Sequence, residues 1–324
     1  MKLSITQRTV PRLVRFGRDV ASVYATLLRV MVPALIVVKA LDMLGGTQWL
    51  AWLLSPAMQL VGLPDTFGIV WAAAMLTNIY TAMIVFAGMA PHEPLTVAQV
   101  TVLGTMILVA HSLPVEGAVA RAVGVSWRAT LTIRIGGAMV LGMLLNLAYS
   151  AGGWLQKPSR LLWEPEAVDP GLLAWALDQL RMLGWIFVVI AALMALLRLL
   201  RILGIERLMH GLLAPVLDLI GIRKEAGNIT IIGTTLGLSF GAGLLIREAR
   251  SGALSRRDVF LTMGFLGLCH SVIEDTLLIV LLGADLSGIL WARLFFALAA
   301  IAALARIPML NRRLADAPAQ VGRA

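Results

Sequence analysis

Cys269-His270-Ser271-Val272-Ile273-Glu274-Asp275 is the stretch on which the reading of this chain turns, because residues 260–283 around it are otherwise almost wholly apolar. A charged group near the centre of a bilayer costs at least about 2.5–3.5 kcal/mol, so such groups face a cavity or a partner rather than lipid. The same pattern occurs earlier, in Ala110-His111-Ser112-Leu113-Pro114-Val115-Glu116, with a carboxylate five residues after the histidine in each copy (Glu116, Asp275).

The two histidines are 159 residues apart, and the same gapless shift aligns much more. It matches Leu53-Leu54-Ser55-Pro56 with Leu212-Leu213-Ala214-Pro215, Leu44-Gly45 with Leu203-Gly204, and Gly62 with Gly221. It also matches Gly68 with Gly227, Leu95 with Leu254, Gly124 with Gly283 and Arg134 with Arg293. A shift that holds from about residue 39 to about residue 134 marks an internal duplication. The organisation expected is a basic cytoplasmic N-terminal arm (1–19), repeat one (20–150), a polar connector (151–170), repeat two (171–308) and a disordered tail (309–324).

Composition places these repeats in a membrane. Hydrophobic residues make up 59% of the 324-residue chain and charged residues 14%, against about 45–50% and 25% in soluble domains. Runs such as 20–44, 67–90 and 183–200 reach the roughly 20 residues that cross a hydrocarbon core. The net charge of +9 sits at the ends of these runs and not on a nucleic-acid-binding patch. One cysteine excludes an intrachain disulfide. No cleaved signal peptide is expected, since the basic arm is not followed by a short apolar region and a small-residue cleavage site.

Each copy holds five apolar elements, near 22–44, 48–63, 67–90, 95–120 and 129–150, then 181–203, 207–221, 228–246, 257–283 and 287–306. The fold class expected is therefore an all-α polytopic membrane protein of about ten transmembrane or re-entrant helices. The second element of each copy is short and contains a proline (Pro56, Pro215), so it is either a short span or re-entrant. If all ten cross from a cytoplasmic N-terminus, the inside loops hold Arg121, Arg128, Arg198, Arg201, Arg207, Arg247, Arg250, Arg256 and Arg257. Arg306, Arg312 and Arg313 also fall inside, and only Arg223 and Lys224 disobey the positive-inside bias. An odd number of crossings per copy makes the repeats inverted, a device of secondary transporters with sites near the midplane.

The paired motifs Leu53-Leu54-Ser55-Pro56…Gly62-Leu63-Pro64 and Leu212-Leu213-Ala214-Pro215…Gly221-Ile222-Arg223-Lys224-Glu225-Ala226-Gly227-Asn228-Ile229 resemble the Gate domain family, also called the nucleoside recognition domain family. The resemblance covers both repeats. It implies kinship with the membrane cores of concentrative nucleoside transporters and of ferrous iron transporter B, and with spore maturation membrane proteins. No G-x-x-x-x-G-K-[ST] loop occurs, so the iron transporter's GTPase half has no counterpart here. The family name does not by itself assign a substrate.

The leading candidate site is His111, Ser112, Glu116, His270, Ser271, Glu274 and Asp275. On a continuous helix His270 and Glu274 would share a face, while Glu116 and Asp275 would lie about 140° round from their histidines. The cluster reads as a site for an ion, a proton or a small polar solute, against the plainer reading of a hydrogen-bonded network pinning the halves together. Two histidines with carboxylates suit a first-row divalent metal, but histidine also titrates near neutrality, and the sequence ranks a proton relay above a metal. A weaker second candidate is Asn78 and Tyr80 with Asn228, Thr230, Thr234, Thr235 and Ser239. Gly233, Gly237 and Gly241 read as a helix-packing stripe, and the G-x-S-x-G match at 237–241 lacks the strand-to-helix turn of a nucleophile elbow. Arg134 and Arg293 read as snorkelling or helix-pairing cations, or, more sharply, as partners of Glu116 or Asp275.

The function expected is a multi-pass secondary transporter or permease of the bacterial inner (cytoplasmic) membrane, binding a small polar solute or ion. It needs no cofactor and contacts the lipid bilayer but no nucleic acid; a homo-oligomer is left open. The alternatives are a structural or assembly membrane protein and a divalent metal permease. An enzyme is disfavoured, because adjacent Ser and His on one helix project about 100° apart and do not pair as nucleophile and base.

Overall fold

The computed structural model describes residues 5–161, 171–236, 245–249 and 254–308. Residues 162–170 of the connector, the 237–241 motif, Arg250 and the 309–324 tail lie outside these. Within the described residues the chain is helical, and the β-type pairing there is one isolated antiparallel bridge, Thr96 with Pro158. Helix α1 (Ile5–Met43) already includes most of the predicted basic arm, which is the start of the helix and not a separate segment. Gly45, at φ 70°, breaks it from α2 (Gly46–Leu60), as Gly204 at φ 75° breaks α9 (Leu172–Ile202) from α10 (Ile205–Leu219).

The third element does not run as one straight helix. Residues 67–90 form two helices, α3 (Gly68–Leu76) and α4 (Ile79–Met89), that break at Thr77-Asn78 and pack on each other. The Asn78 side chain caps α4 by accepting the Thr81 N–H at 2.9 Å, the role that favours Asn at such a break. Both ends of the pair lie together: Thr66 Oγ1 donates to Glu93, and Gln99 Nε2 donates to the Gly62 carbonyl at 3.2 Å. A crossing helix would hold those ends about 30 Å apart. The element is a helical hairpin, one of the two forms expected for a membrane element that does not run straight through. In the second copy α11 (Lys224–Leu236) begins the equivalent segment. Its flanks also meet, through Arg257 Nη1 to the Gly221 carbonyl at 2.7 Å and Arg223 Nε to Asp258 Oδ2 at 3.1 Å.

Helix α2 is 15 residues long, about 22 Å at 1.5 Å per residue, short of a bilayer core. The chain bends by 106° between 52–60 and 65–76. Trp49, Trp52 and Leu53 on α2 are exposed, as indoles at a membrane interface are. Helices long and apolar enough to cross are, among the described residues, 14–41, 97–122, 127–152, 172–200 and 287–306. The second of these combines α5 (Val97–Val109) and α6 (Leu113–Ala122), interrupted at 110–112. Its counterpart is α12 (Arg256–Leu268) and α13 (Glu274–Val280), interrupted at 269–273. The fifth elements run as α7 (Trp127–Leu131) through a π-helical turn into α8 (Gly137–Gly152), and as a π-helical turn (Ser287–Ala292) leading into α14 (Arg293–Arg306).

The duplication is three-dimensional. Tyr24 donates its hydroxyl to the Leu183 carbonyl at 2.9 Å, and His111 meets His270; both pairs are separated by 159 residues. When equivalent residues of two copies touch each other, the copies are related by a pseudo-two-fold axis passing near the contact. Each copy's fourth element packs against both fifth elements, α5 on α8 and on Ser287–Ala292, α12 on α14 and on Thr132–Gly136. Reciprocal packing of this kind places the two broken helices at the centre of the molecule.

Candidate functional site

The site is built from four interrupted helices. Where α5 ends, Ser112 takes a left-handed conformation (φ 49°), and Ser271 does the same after α12 (φ 45°). For a non-glycine residue this is a sparsely populated region that persists only when the surroundings hold it. The hairpins hold it here. Ser112 donates its N–H to the Ala74 carbonyl at 2.9 Å and its hydroxyl to the Thr77 carbonyl at 2.8 Å, both at the end of α3. In the second copy Ser271 and Val272 donate N–H groups to the Gly233 and Thr234 carbonyls. The serine backbones therefore dock on the hairpins, and the Ser112 hydroxyl is committed to the end of α3 and not to a histidine.

The free carbonyls of α5 and α12 are satisfied in turn. His111 Nδ1 donates to the Ile107 carbonyl at 3.0 Å and His270 Nδ1 to that of Leu266 at 2.6 Å. Arg134 Nε donates to the Val109 carbonyl and Arg293 Nε to that of Leu268, with Arg293 Nη2 on the His270 carbonyl. Both arginines are 1% exposed, which overturns the snorkelling reading. Arg134 Nη1 pairs with Glu116 Oε2. Arg293 makes no such pair with Asp275, whose side chain is one methylene shorter than glutamate at the equivalent position.

At the centre the two imidazoles face each other, Nε2 to Nε2 at 3.2 Å. Glu116 Oε1 lies 3.4 Å from His111 Nε2 and 3.3 Å from His270 Nε2. Asp275 Oδ2 lies 3.9 and 3.8 Å from the same atoms. His111, Glu116, His270 and Asp275 are all buried. Asp275 Oδ2 has no hydrogen-bond partner. His111, His270 and Asp275 each offer a ligand atom within 4.8 Å of the others.

The helix-face argument for His270 and Glu274 does not survive, because the helix stops at Leu268 and restarts at Glu274. Glu274 turns instead to the first hairpin, where the Tyr80 hydroxyl donates to it at 3.3 Å. Asn78 stays at the hairpin tip as a cap. Asn228 is elsewhere: it is exposed, and its Oδ1 accepts from His210 Nε2 at 2.9 Å. Thr230, Thr234 and Thr235 bond to carbonyls of their own helix, and Gly233 lies against Leu266. Arg134 and Arg293 are the site residues that the sequence underrated. Their equivalence under the 159-residue shift, matching that of the carboxylates, was the signal.

Access to the site differs between its two sides. A narrow pocket reaches Glu116 between Met263, Gly264 and Gly267 on α12 and Val125, Thr130, Ile133 and Arg134 of the first repeat. The pseudo-symmetric region on the other side is packed. There Gly104 lies directly against Ile279, with Ile289 and Ala284 near it, and Thr101 Oγ1 accepts the Asp285 N–H at 2.8 Å.

The chain is similar to a Bacillus subtilis (strain 168) protein named uncharacterized membrane protein YvoD, at 30% identity over 271 residues, 83% of this chain and 86% of that protein. No protein-family profile matches the chain, and neither does any solved structure.

Proposed function

The chain belongs to the membrane-protein family of YvoD, and from that premise we propose that it is a secondary transporter or permease for a small polar solute or ion. The observation that carries the reading is the His111–His270 pair on the pseudo-two-fold axis, with a carboxylate from each repeat and a narrow pocket reaching Glu116. Binding at the interface of two related repeats, among interrupted helices, is the arrangement expected of alternating-access carriers. Three crossings per copy keep the repeats inverted, as five would.

The re-entrant hairpins also repair the charge pattern. With both flanks of the second hairpin on one side, Arg223 and Lys224 join Arg121, Arg128, Arg247, Arg256 and Arg257, so the two exceptions to the positive-inside bias disappear. That side is the cytoplasm of an inner-membrane protein, and the pocket opens toward it, since Val125 belongs to the Arg121–Arg128 loop. Against a serine nucleophile in the first repeat, the Ser112 hydroxyl is committed to a backbone carbonyl.

A thermal-stabilisation screen of purified protein over nucleosides, divalent metals and small organic anions tests the reading. One class is expected to raise the melting temperature of the wild type but not of His270→Ala, and to exchange across proteoliposomes. If no class stabilises and none exchanges, the cluster is structural glue and the assembly-protein alternative takes its place.

A further inference from the structure

We infer that the axial cluster is a binding site for a first-row divalent transition-metal ion, held by His111 Nε2, His270 Nε2, Glu116 Oε1 and Asp275 Oδ2. The inference rests on the transport reading only for what the site is used for; the binding itself is a separate claim.

Hydrogen accounting is the first argument. A backbone carbonyl only accepts, so the Nδ1 atoms facing Ile107 and Leu266 carry the protons. In neutral imidazoles each Nε2 is then a bare lone pair. Two lone pairs pointed at each other across 3.2 Å, with carboxylate oxygens at 3.3–3.9 Å, make a concentration of acceptors with no donor among them. A cation seated between them, a metal ion or a proton, relieves that repulsion. Histidine ligands to metals carry this same signature, with the second ring nitrogen donating to a carbonyl and so fixing the tautomer.

Geometry is the second argument. Metal–ligand bonds of about 2.0–2.1 Å in a tetrahedron place neighbouring ligand atoms about 3.3–3.4 Å apart. His111 Nε2, His270 Nε2 and Glu116 Oε1 form a triangle with sides of 3.2, 3.3 and 3.4 Å. Asp275 Oδ2 caps it from 3.8 and 3.9 Å, within a small side-chain adjustment, and is buried without any other partner. Two imidazoles and two carboxylates suit zinc, iron(II) or manganese(II) and exclude magnesium and calcium as preferred ions.

The surroundings then distinguish a passing ion from a resident one. Arg134 holds the far oxygen of Glu116, leaving Oε1 free to bind while keeping a positive charge next to the ion. Arg293 adds a second buried cation whose Nη1 has no partner. Like charges at that range weaken binding, and an ion that is to be released must not be held too tightly. The pocket beside Glu116 is the access route.

Chelator-treated full-length protein in detergent is titrated with Co²⁺, and bound Co²⁺ is then displaced with Zn²⁺. The expected result is one Co²⁺ per chain, with the strong visible absorption of four-coordinate cobalt. His111→Gln and His270→Gln should each weaken binding more than about 100-fold, since even outer-shell changes cost about 10–100-fold. If those variants aggregate, the isosteric Asp275→Asn decides, with a changed cobalt spectrum and at least about 10-fold weaker binding. A folded wild type that takes up no Co²⁺ or Zn²⁺ at millimolar concentration overturns the inference and leaves a proton as the cation. So does Co²⁺ binding indifferent to these substitutions. Should a nucleoside or organic anion then still stabilise the wild type and not His270→Ala, the metal falls while the transport reading stands. Stoichiometric Co²⁺ binding without exchange across vesicles gives the reverse.

Discussion

Replacing Arg134 by methionine removes a guanidinium that is 1% exposed and bonded to the Val109 carbonyl and to Glu116. Breaking a buried ion pair from one side leaves an uncompensated charge and costs about 3–5 kcal/mol. Glu116→Gln keeps the shape and an acceptor for Arg134, so its cost should be that of weakening one charged hydrogen bond, about 1.5–3 kcal/mol. In Arg134→Met/Glu116→Gln both charges are gone, and the losses should fall short of their sum by about 2 kcal/mol, within the range of contacting pairs. Reversible unfolding in mixed micelles, followed by circular dichroism, measures all four corners. The mirror cycle, Arg293→Met with Asp275→Asn, is the internal control. Arg293 does not pair with Asp275, so its coupling should be less than half as large. Additivity within about 0.5 kcal/mol in the Arg134–Glu116 cycle, or equal coupling in the two cycles, would refute the asymmetric charge arrangement.

Three further outcomes are expected. With Cys269→Ser as background, Thr66→Cys and His92→Cys should react with an impermeant thiol reagent from one side of the membrane and Arg247→Cys from the other; labelling of positions 66 and 92 from opposite sides would restore a spanning third element. Gly104→Ala drives a methyl group into Ile279 on the packed side and should lower stability by about 1–3 kcal/mol; a melting temperature equal to the wild type's would mean that side is looser than described. Asn228→Ala should change stability by no more than about 0.5 kcal/mol and leave solute-dependent stabilisation intact, because the residue is exposed and far from the histidines in its contacts; loss of that stabilisation would put it back in the site.

Membrane residence, the duplication and the six polar or charged residues His111, Ser112, Glu116, His270, Ser271 and Asp275 were legible in the sequence. Each is a property of composition or of identity under a fixed shift, and needs no knowledge of the chain's path. The path of the third element was not. Residues 67–90 carry the hydropathy of a span whether they run straight through or turn back at Thr77-Asn78, because hydropathy sums residues and is blind to a reversal. The choice between Glu274 and Asp275 was illegible for a related reason. Helical periodicity fixes directions only while the helix continues, and at 269–273 it does not. The left-handed serine resets the direction of everything after it, and what holds that serine is a carbonyl from a hairpin more than thirty residues away. Tertiary packing alone decided that Asp275 faces the axis and Glu274 faces Tyr80, since a break in the ladder of backbone hydrogen bonds hands orientation over to whichever distant groups satisfy it.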